Sequence, residues 1–331
     1  MIFGIVNNKG GVLKTTLSTN LAASLSLSNK KVIIVDLDGQ GNVIATFGKN
    51  PNNMTHTIID FLRNDCHLND CIVEQRKNLF IIPGNDDLNF FDYYVQSNEI
   101  KQSDLKLTLK KLNEVYDYVI IDTPPNMSTV VAIVLSVCDV AIIPFEPDQY
   151  AILGLKRIVD ATKEFKNKGN ANMKVIAVPT KVNTRVTIHN EIIEHNIRPK
   201  LTSQNVYVTK TFISASTKST ASVGYEKVPI VLSVVKSKYQ DEYMFLKEEI
   251  INYINSLSKI EISTTNNNLT EFNNKDNANS YEANINKQKN DQQKINIYGS
   301  VTDYNTFNNE KENSEAPCLH FNYSDKKENK D

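Results

Sequence analysis

The sequence predicts an α/β fold: a doubly wound, mostly parallel sheet with helices on both faces, followed by a disordered C-terminal tail. Three observations carry that expectation. Short β-branched runs recur along the chain, and several end in an acid or a proline. Segments with helical spacing separate them. Past residue 258 the chain turns to Asn, Lys, Ser, Asp, Glu and Gln, with few clustered apolar residues. Strands buried on both faces read as continuous apolar runs, and parallel pairing needs a crossover helix between them. The division follows: residues 1–258 form the folded domain, and residues 259–331 form a tail that cannot bury enough surface to offset its ordering entropy.

Each element has its own signal. Residues 2–6 are apolar apart from Gly4 and precede a polar, glycine-bearing turn. Lys14-Thr15-Thr16 then opens a helix with Leu17, Leu21 and Leu25 on one stripe. Lys31–Asp36 is a β-branched strand ending in an acid, followed by a polar turn over 37–42 with two glycines. Residues 55–63 look like a helix start, and Asn78–Gly84 is a short strand closed by Pro-Gly. Leu105, Leu109, Leu112 and Tyr116 give a helix over 103–116, with Ser103 or Asp104 as its cap. Tyr118–Asp122 is the strongest strand signal, stopped by two prolines. A buried helix and a strand over 140–144 follow, then a helix over 151–166 and a strand over 174–179. Residues 186–195 read as helix and Pro229–Leu232 as a short apolar edge. Residues 238–257 read as a long amphipathic helix.

Composition excludes several classes. The net charge of −1 makes the whole chain neither a basic nor an acidic partner-seeker. Cys66, Cys71, Cys138 and Cys318 show no Cys-x-x-Cys spacing, and the five-residue gap between the first two suits neither a zinc knuckle nor a redox pair. They read as free thiols in a reducing cytosol. No signal peptide is visible, and the most apolar stretch, 130–145, carries Asp139 and Pro144. It falls short of the ~20 residues that span a bilayer.

Strand, glycine-bearing loop and helix in that order are the layout of a phosphate-binding loop, in which loop N–H groups and a helix N-terminus converge on an anion. Lys14 suits the β- and γ-phosphates, and the Thr15 hydroxyl suits Mg²⁺. Asp122, after four apolar residues, has the Walker B arrangement of a buried-strand carboxylate aimed at a metal. Lys9-Gly10-Gly11-Val12-x-Lys14-Thr15-Thr16, Asp36-Leu37-Asp38-x-Gln40-Gly41-Asn42 and Asp122-Thr123-Pro124-Pro125 together resemble the ParA-type, Soj-like partition ATPases of the ParA/MinD deviant Walker A group. The resemblance runs over about residues 1–257, through Tyr150–Leu155 and Val178–Arg185.

The resemblance implies a P-loop nucleotidase using ATP and Mg²⁺. Gly10, Gly11, Val12 and Leu13 would line the phosphates, with Lys14 on the β- and γ-phosphates and Thr16 on the α-phosphate. Asn183 would also belong to the nucleotide site. Lys9 would reach across an ATP-dependent homodimer to the partner's nucleotide, in the part of an arginine finger. Thr15, Asp36 and Asp122 would hold the metal and its waters, and Asp38 would orient the attacking water. The implied activity is a slow, partner-stimulated ATPase, cytoplasmic and nucleoid-associated. It would bind DNA non-specifically, work with a ParB-like centromere-binding protein and stay off the membrane.

Two positions depart from the family pattern. Gly39 stands where Asp-x-Asp-Pro has proline, which should loosen the loop. Leu13 stands where glycine is usual; a left-handed backbone there would cost about 1–2 kcal/mol. Retained ATP binding with slow or altered hydrolysis is the expectation. For DNA, Arg198, Lys200, Lys210, Lys218, Lys236 and Lys238 fall in a stretch, 198–238, whose one acid is Glu226. Backbone contacts need charge rather than base-reading geometry. The alternatives are a MinD-like membrane-cycling ATPase and a hydrolysis-poor, ATP-dependent DNA clamp. A nitrogenase-iron-protein type reductase would need a core cysteine pair, and Cys138 stands alone.

Overall fold

The computed structural model describes residues 1–148 and 151–259. Eight strands form one sheet in the order β3-β4-β2-β5-β1-β6-β7-β8. They are β1 (Ile2–Ile5), β2 (Val32–Asp36), β3 (Val73–Arg76), β4 (Leu79–Ile82), β5 (Tyr118–Asp122), β6 (Val140–Phe145), β7 (Lys174–Pro179) and β8 (Tyr207–Val208). All pairings are parallel except the β3–β4 hairpin. The expected doubly wound α/β architecture is therefore the observed one. The tail assigned to 259–331 lies, beyond its first residue, outside the described residues.

The parallel register brings the strand ends together. Ile5 pairs with Asp122, and Asp36 pairs with Asp122, so β1, β2 and β5 end side by side. Helix α1 (Lys14–Leu27) starts at that edge and packs Leu17, Leu21 and Leu25 against Phe3, Ile5 and Ile34. The opposite face of the sheet is covered by helices Gln102–Val115, Thr129–Val137 and Ala151–Asn167, through Leu105, Leu109, Val134, Leu155 and Ile158. One core lies on each face of the sheet, as a doubly wound fold requires.

Three sequence expectations are corrected. Pro229–Leu232 is not a sheet edge: Ile230–Leu232 form a 3₁₀ turn that packs on α1, with the Val231 N–H donating to Asn20 Oδ1 at 3.0 Å. The true edges are β3 and β8. The helix placed at 186–195 begins at Thr187 and continues to Thr202, with π spacing over Ile192–Ile197. The widened stretch comes just ahead of Pro199, whose ring nitrogen cannot donate. The helix of 55–63 spans only Ile58–Leu62, because Thr57 caps it and accepts no longer run: its N–H donates to Asp60 Oδ2 at 2.7 Å in a capping box. Residues 238–259 are helical, with Tyr243, Leu246, Ile250 and Ile254 buried. Cys66, Cys71 and Cys138 are free thiols, as expected, although the fold brings the Cys66 and Cys71 sulfurs to 3.4 Å.

Candidate functional site

The loop from Asn7 to Lys14 joins β1 to α1 and is braced from both flanks. Asn7 Nδ2 donates to Pro144 O at the end of β6 (2.7 Å), and Asn7 Oδ1 accepts the Lys9 N–H (2.9 Å). Thr180 Oγ1, beyond β7, donates to Val12 O at 3.1 Å. Gly11 has φ 74°, a left-handed backbone that favours glycine. Leu13 is left-handed too, with φ 66° and ψ 33°, at the cap position of α1. Its carbonyl accepts the Leu17 N–H at 2.8 Å, so the helix starts in register despite the strain.

Two carboxylates sit beneath the loop. Thr15 Oγ1 donates to Asp122 Oδ2 (2.6 Å), and Ser18 Oγ donates to Asp122 Oδ1 (2.8 Å). Asp36 accepts the Asp38 N–H and the Val43 N–H, both at 3.1 Å. Asp36 and Asp122 are fully buried. Burial, followed by the charge of Asp122, raises the Asp36 carboxyl well above the usual range. Burial likewise pushes Asp122 up to about 6, against the lowering effect of the Thr15 and Ser18 hydroxyls. Burial lowers the Lys14 ammonium, countered by Asp122 and Asp38. Two buried acids facing a single half-desolvated lysine leave negative charge uncompensated. Hard oxygen donors in that state suit a divalent cation such as Mg²⁺, with Thr15, Asp36 and Asp122 as the residues that would hold it or its waters.

A cavity of about 970 Å³ opens above this cluster. Gly10, Gly11, Leu13, Lys14, Thr15 and Thr16 line one end, with Asp38 and Gln40 beside them. The hydroxyl-rich stretch 214–217 and Tyr239 and Tyr243 also line it. The chemistry runs from cationic and N–H-rich to polar-aromatic, which suits a phosphorylated ligand with a flat ring.

The other sequence candidates are placed as follows. Val12 is buried and its side chain does not line the cavity. Lys9 is half exposed and forms an ion pair with Asp148 of its own chain. Asn183 is exposed and does not line the cavity: its Oδ1 accepts the Arg185 N–H, and its N–H donates to His189 Nδ1, each at 3.1 Å. Lys181, with Nζ 3.4 Å from Glu146 Oε2, lines the cavity instead. Lys200, Lys210, Lys218, Lys236 and Lys238 are exposed. Arg198 is tied into the fold: its guanidinium donates to both Glu194 oxygens (2.7 and 2.8 Å), to Thr209 O (3.2 Å) and to Val208 O. Sequence reasoning missed Ser18, Asn7 and Thr180; Ser18 lies one helical turn after Lys14, the one signal that could have found it.

The sequence model of the AAA domain matches residues 1–175. A ParA family protein of Mycoplasma genitalium is 46% identical over 267 residues, covering 77% of this chain and 98% of that protein. The chain belongs to the ParA family. The sporulation initiation inhibitor protein Soj of Bacillus subtilis, 29% identical, covers 75% of this ParA-family chain and 97% of its own length. Among solved structures, the ATP complex of a D38A variant of Cyanothece McdA matches with a TM-score of 0.65 at 20% identity, over 75% of this chain and 95% of that one. That likeness bears on the fold alone.

Proposed function

We propose that this ParA-family chain is an ATPase that dimerises on ATP, binds DNA non-specifically and moves plasmid or chromosome cargo with a ParB-like partner. The observation that carries the reading is the Thr15–Asp122–Asp36 cluster directly beneath a braced phosphate loop. Lys14 and the N–H groups of Gly10–Leu13 bind the phosphates. Thr15, Asp36 and Asp122 would hold Mg²⁺ or its waters, and the metal would supply charge neutralisation at the phosphates. Asp38, which lines the cavity, orients the attacking water. Lys9 leaves Asp148 and enters the partner subunit's site, so hydrolysis waits for dimerisation. The exposed lysines Lys200, Lys210, Lys218, Lys236 and Lys238 contact the DNA backbone; Arg198, already committed to four acceptors, acts by holding that surface in shape. The nucleoid in the cytoplasm is where such a dimer works.

A second reading, a clamp that binds ATP and DNA but barely hydrolyses, is favoured by the left-handed Leu13. The membrane-cycling reading loses support because the apolar face of the 238–259 helix is packed into the core. Gel shifts with ATP, ADP and no nucleotide test the proposal. ATP-dependent, sequence-independent shifting supports it; liposome co-sedimentation without DNA binding overturns it. Turnover measured with and without DNA separates enzyme from clamp.

A further inference from the structure

The loop after β2 is a tight turn whose second residue is the wrong one for stiffness. Gly41 N–H donates to Asp38 O at 3.0 Å, so Asp38–Gly41 form a β-turn with Gly39 at its second position. Gln40 N–H donates to Asp38 Oδ1 at 3.0 Å and completes it. Gly39 does not have a positive φ, and its N–H makes no hydrogen bond among the described residues. Nothing about its backbone requires glycine, and the second position of a β-turn is where proline is favoured. A free glycine there leaves the turn, and with it the Asp38 carboxylate, more conformations to visit.

Asn89 stands against that glycine. A Cβ at Gly39 would lie 2.7 Å from Asn89 Cγ and 2.8 Å from Nδ2, and would collide with Oδ1. The Asn89 amide therefore rests on the bare Gly39 backbone. It is carried there by a short turn, Asp86–Phe90, anchored by buried Leu88. Gly84 lets the same segment close on the loop from below: a Cβ there would lie 2.7 Å from Asp36 O and 3.2 Å from Asp38 O. Asn89 is solvent-exposed, does not line the cavity, and its side chain makes no hydrogen bond among the described residues. Its contact with Gly39 is the role the structure leaves it.

We infer that Asn89 is a positioning residue for the turn that carries Asp38, supplying from outside the stiffness that residue 39 lacks. Gly39 and Asn89 act as a pair: the glycine leaves room for the amide, and the amide restrains the glycine. A proline at 39 would make Asn89 dispensable, because the turn would then be stiff on its own. Its Cβ would displace only the tip of an exposed side chain.

The test compares wild type, Asn89→Ala, Gly39→Pro and the double variant as full chains. Amide hydrogen exchange at Gln40 and Gly41 in nucleotide-free protein is the first readout. Asn89→Ala should speed exchange about two- to fivefold, the range that extra backbone freedom in a turn is worth. Gly39→Pro alone should match wild type, and adding it to Asn89→Ala should restore wild-type exchange. ATP turnover is the second readout and rests on the proposed function: kcat should fall in Asn89→Ala with KM little changed, and recover in the double variant. Unchanged exchange in Asn89→Ala, or a double variant as fast as Asn89→Ala, overturns the inference. Exchange that follows the expected pattern in a wild type with no turnover keeps it and sinks the ATPase reading instead.

Discussion

Asp36 and Asp122 are register partners on adjacent parallel strands, and both carboxyls are fully buried. Burial disfavours the charged form of each, and the charge of Asp122 adds to the penalty on Asp36. Among the described residues nothing neutralises both, since Lys14 is itself disfavoured as a cation by burial. The pair is thus stable in either of two ways: with a proton, or with a bound cation.

This gives a pH prediction for metal-free protein. Burial pushes the folded Asp122 carboxyl up to about 6 from an ordinary value of 3.8, so the folded state holds the proton more tightly than the unfolded chain. Well below pH 4 both states are protonated and there is no cost. Between about pH 4 and 6 the unfolded chain is ionised while the folded state keeps its proton, so stability falls by on the order of 3 kcal/mol and levels off once the folded acid ionises above about 6. Thermal melts in a chelator at pH 5 and pH 8 should show the wild type losing stability relative to Asp122→Asn. Magnesium with nucleotide should reverse the loss at pH 8. An Asp122→Asn variant that tracks wild type at both pH values removes the account.

Ser18 should matter nearly as much as Thr15. Its hydroxyl is fully buried and donates to Asp122 Oδ1. Ser18→Ala leaves that oxygen without its partner, at about 1–3 kcal/mol. A hydrogen bond to a metal-binding carboxylate also orients it, and such partners are typically worth about 10- to 100-fold in metal affinity. Magnesium titration of nucleotide binding in Ser18→Ala should shift by that order. An unshifted titration would reduce Ser18 to a packing residue.

Leu13 is the one strained residue in the phosphate loop that is not glycine. Replacing it with glycine relieves a left-handed backbone worth about 1–2 kcal/mol. It also removes a side chain that packs, half buried, on the core beneath α1. These effects oppose each other, so unfolding free energy should change by less than about 1 kcal/mol. The loop itself becomes free to adjust around the phosphates, and turnover should rise. Equal turnover in wild type and Leu13→Gly would show that Leu13 does not limit hydrolysis.

Much of this was readable in one dimension. Tyr118–Asp122 and Lys31–Asp36 announced themselves because strands buried on both faces admit only apolar residues, and an acid at the end marks where the sheet meets solvent or ligand. Lys14, Thr15 and Leu13 were readable because the phosphate loop is local. β3 was missed because Val73-Glu74-Gln75-Arg76 is an edge strand with polar residues toward solvent, and β8 because it is two residues long. Ser18 with Asp122, and Gly39 with Asn89, meet only after the sheet has assembled, so no spacing rule connects them. Asn183 was placed by resemblance, and the loop beyond β7 turns it toward His189, bringing Lys181 to the cavity in its place.

The proposed DNA surface can be divided by what each cation holds. Lys236 and Lys238 are exposed, and Lys238 makes only a 5.2 Å contact with the Tyr239 ring. If both bind phosphates, Lys236→Ala/Lys238→Ala should weaken binding to every sequence equally. The slope of log affinity against log salt should flatten by about one unit per lysine removed, while the melting temperature stays within about a degree or two of wild type. Arg198→Ala should do the reverse. Its guanidinium joins Glu194 to the carbonyls of Val208 and Thr209, so its loss leaves backbone acceptors at the β8 edge unpaired. Stability should drop by about 1–3 kcal/mol, with the salt slope unchanged in the protein that remains folded. A flattened slope in Arg198→Ala at wild-type stability would move the arginine into the interface and break the division between binding and supporting cations.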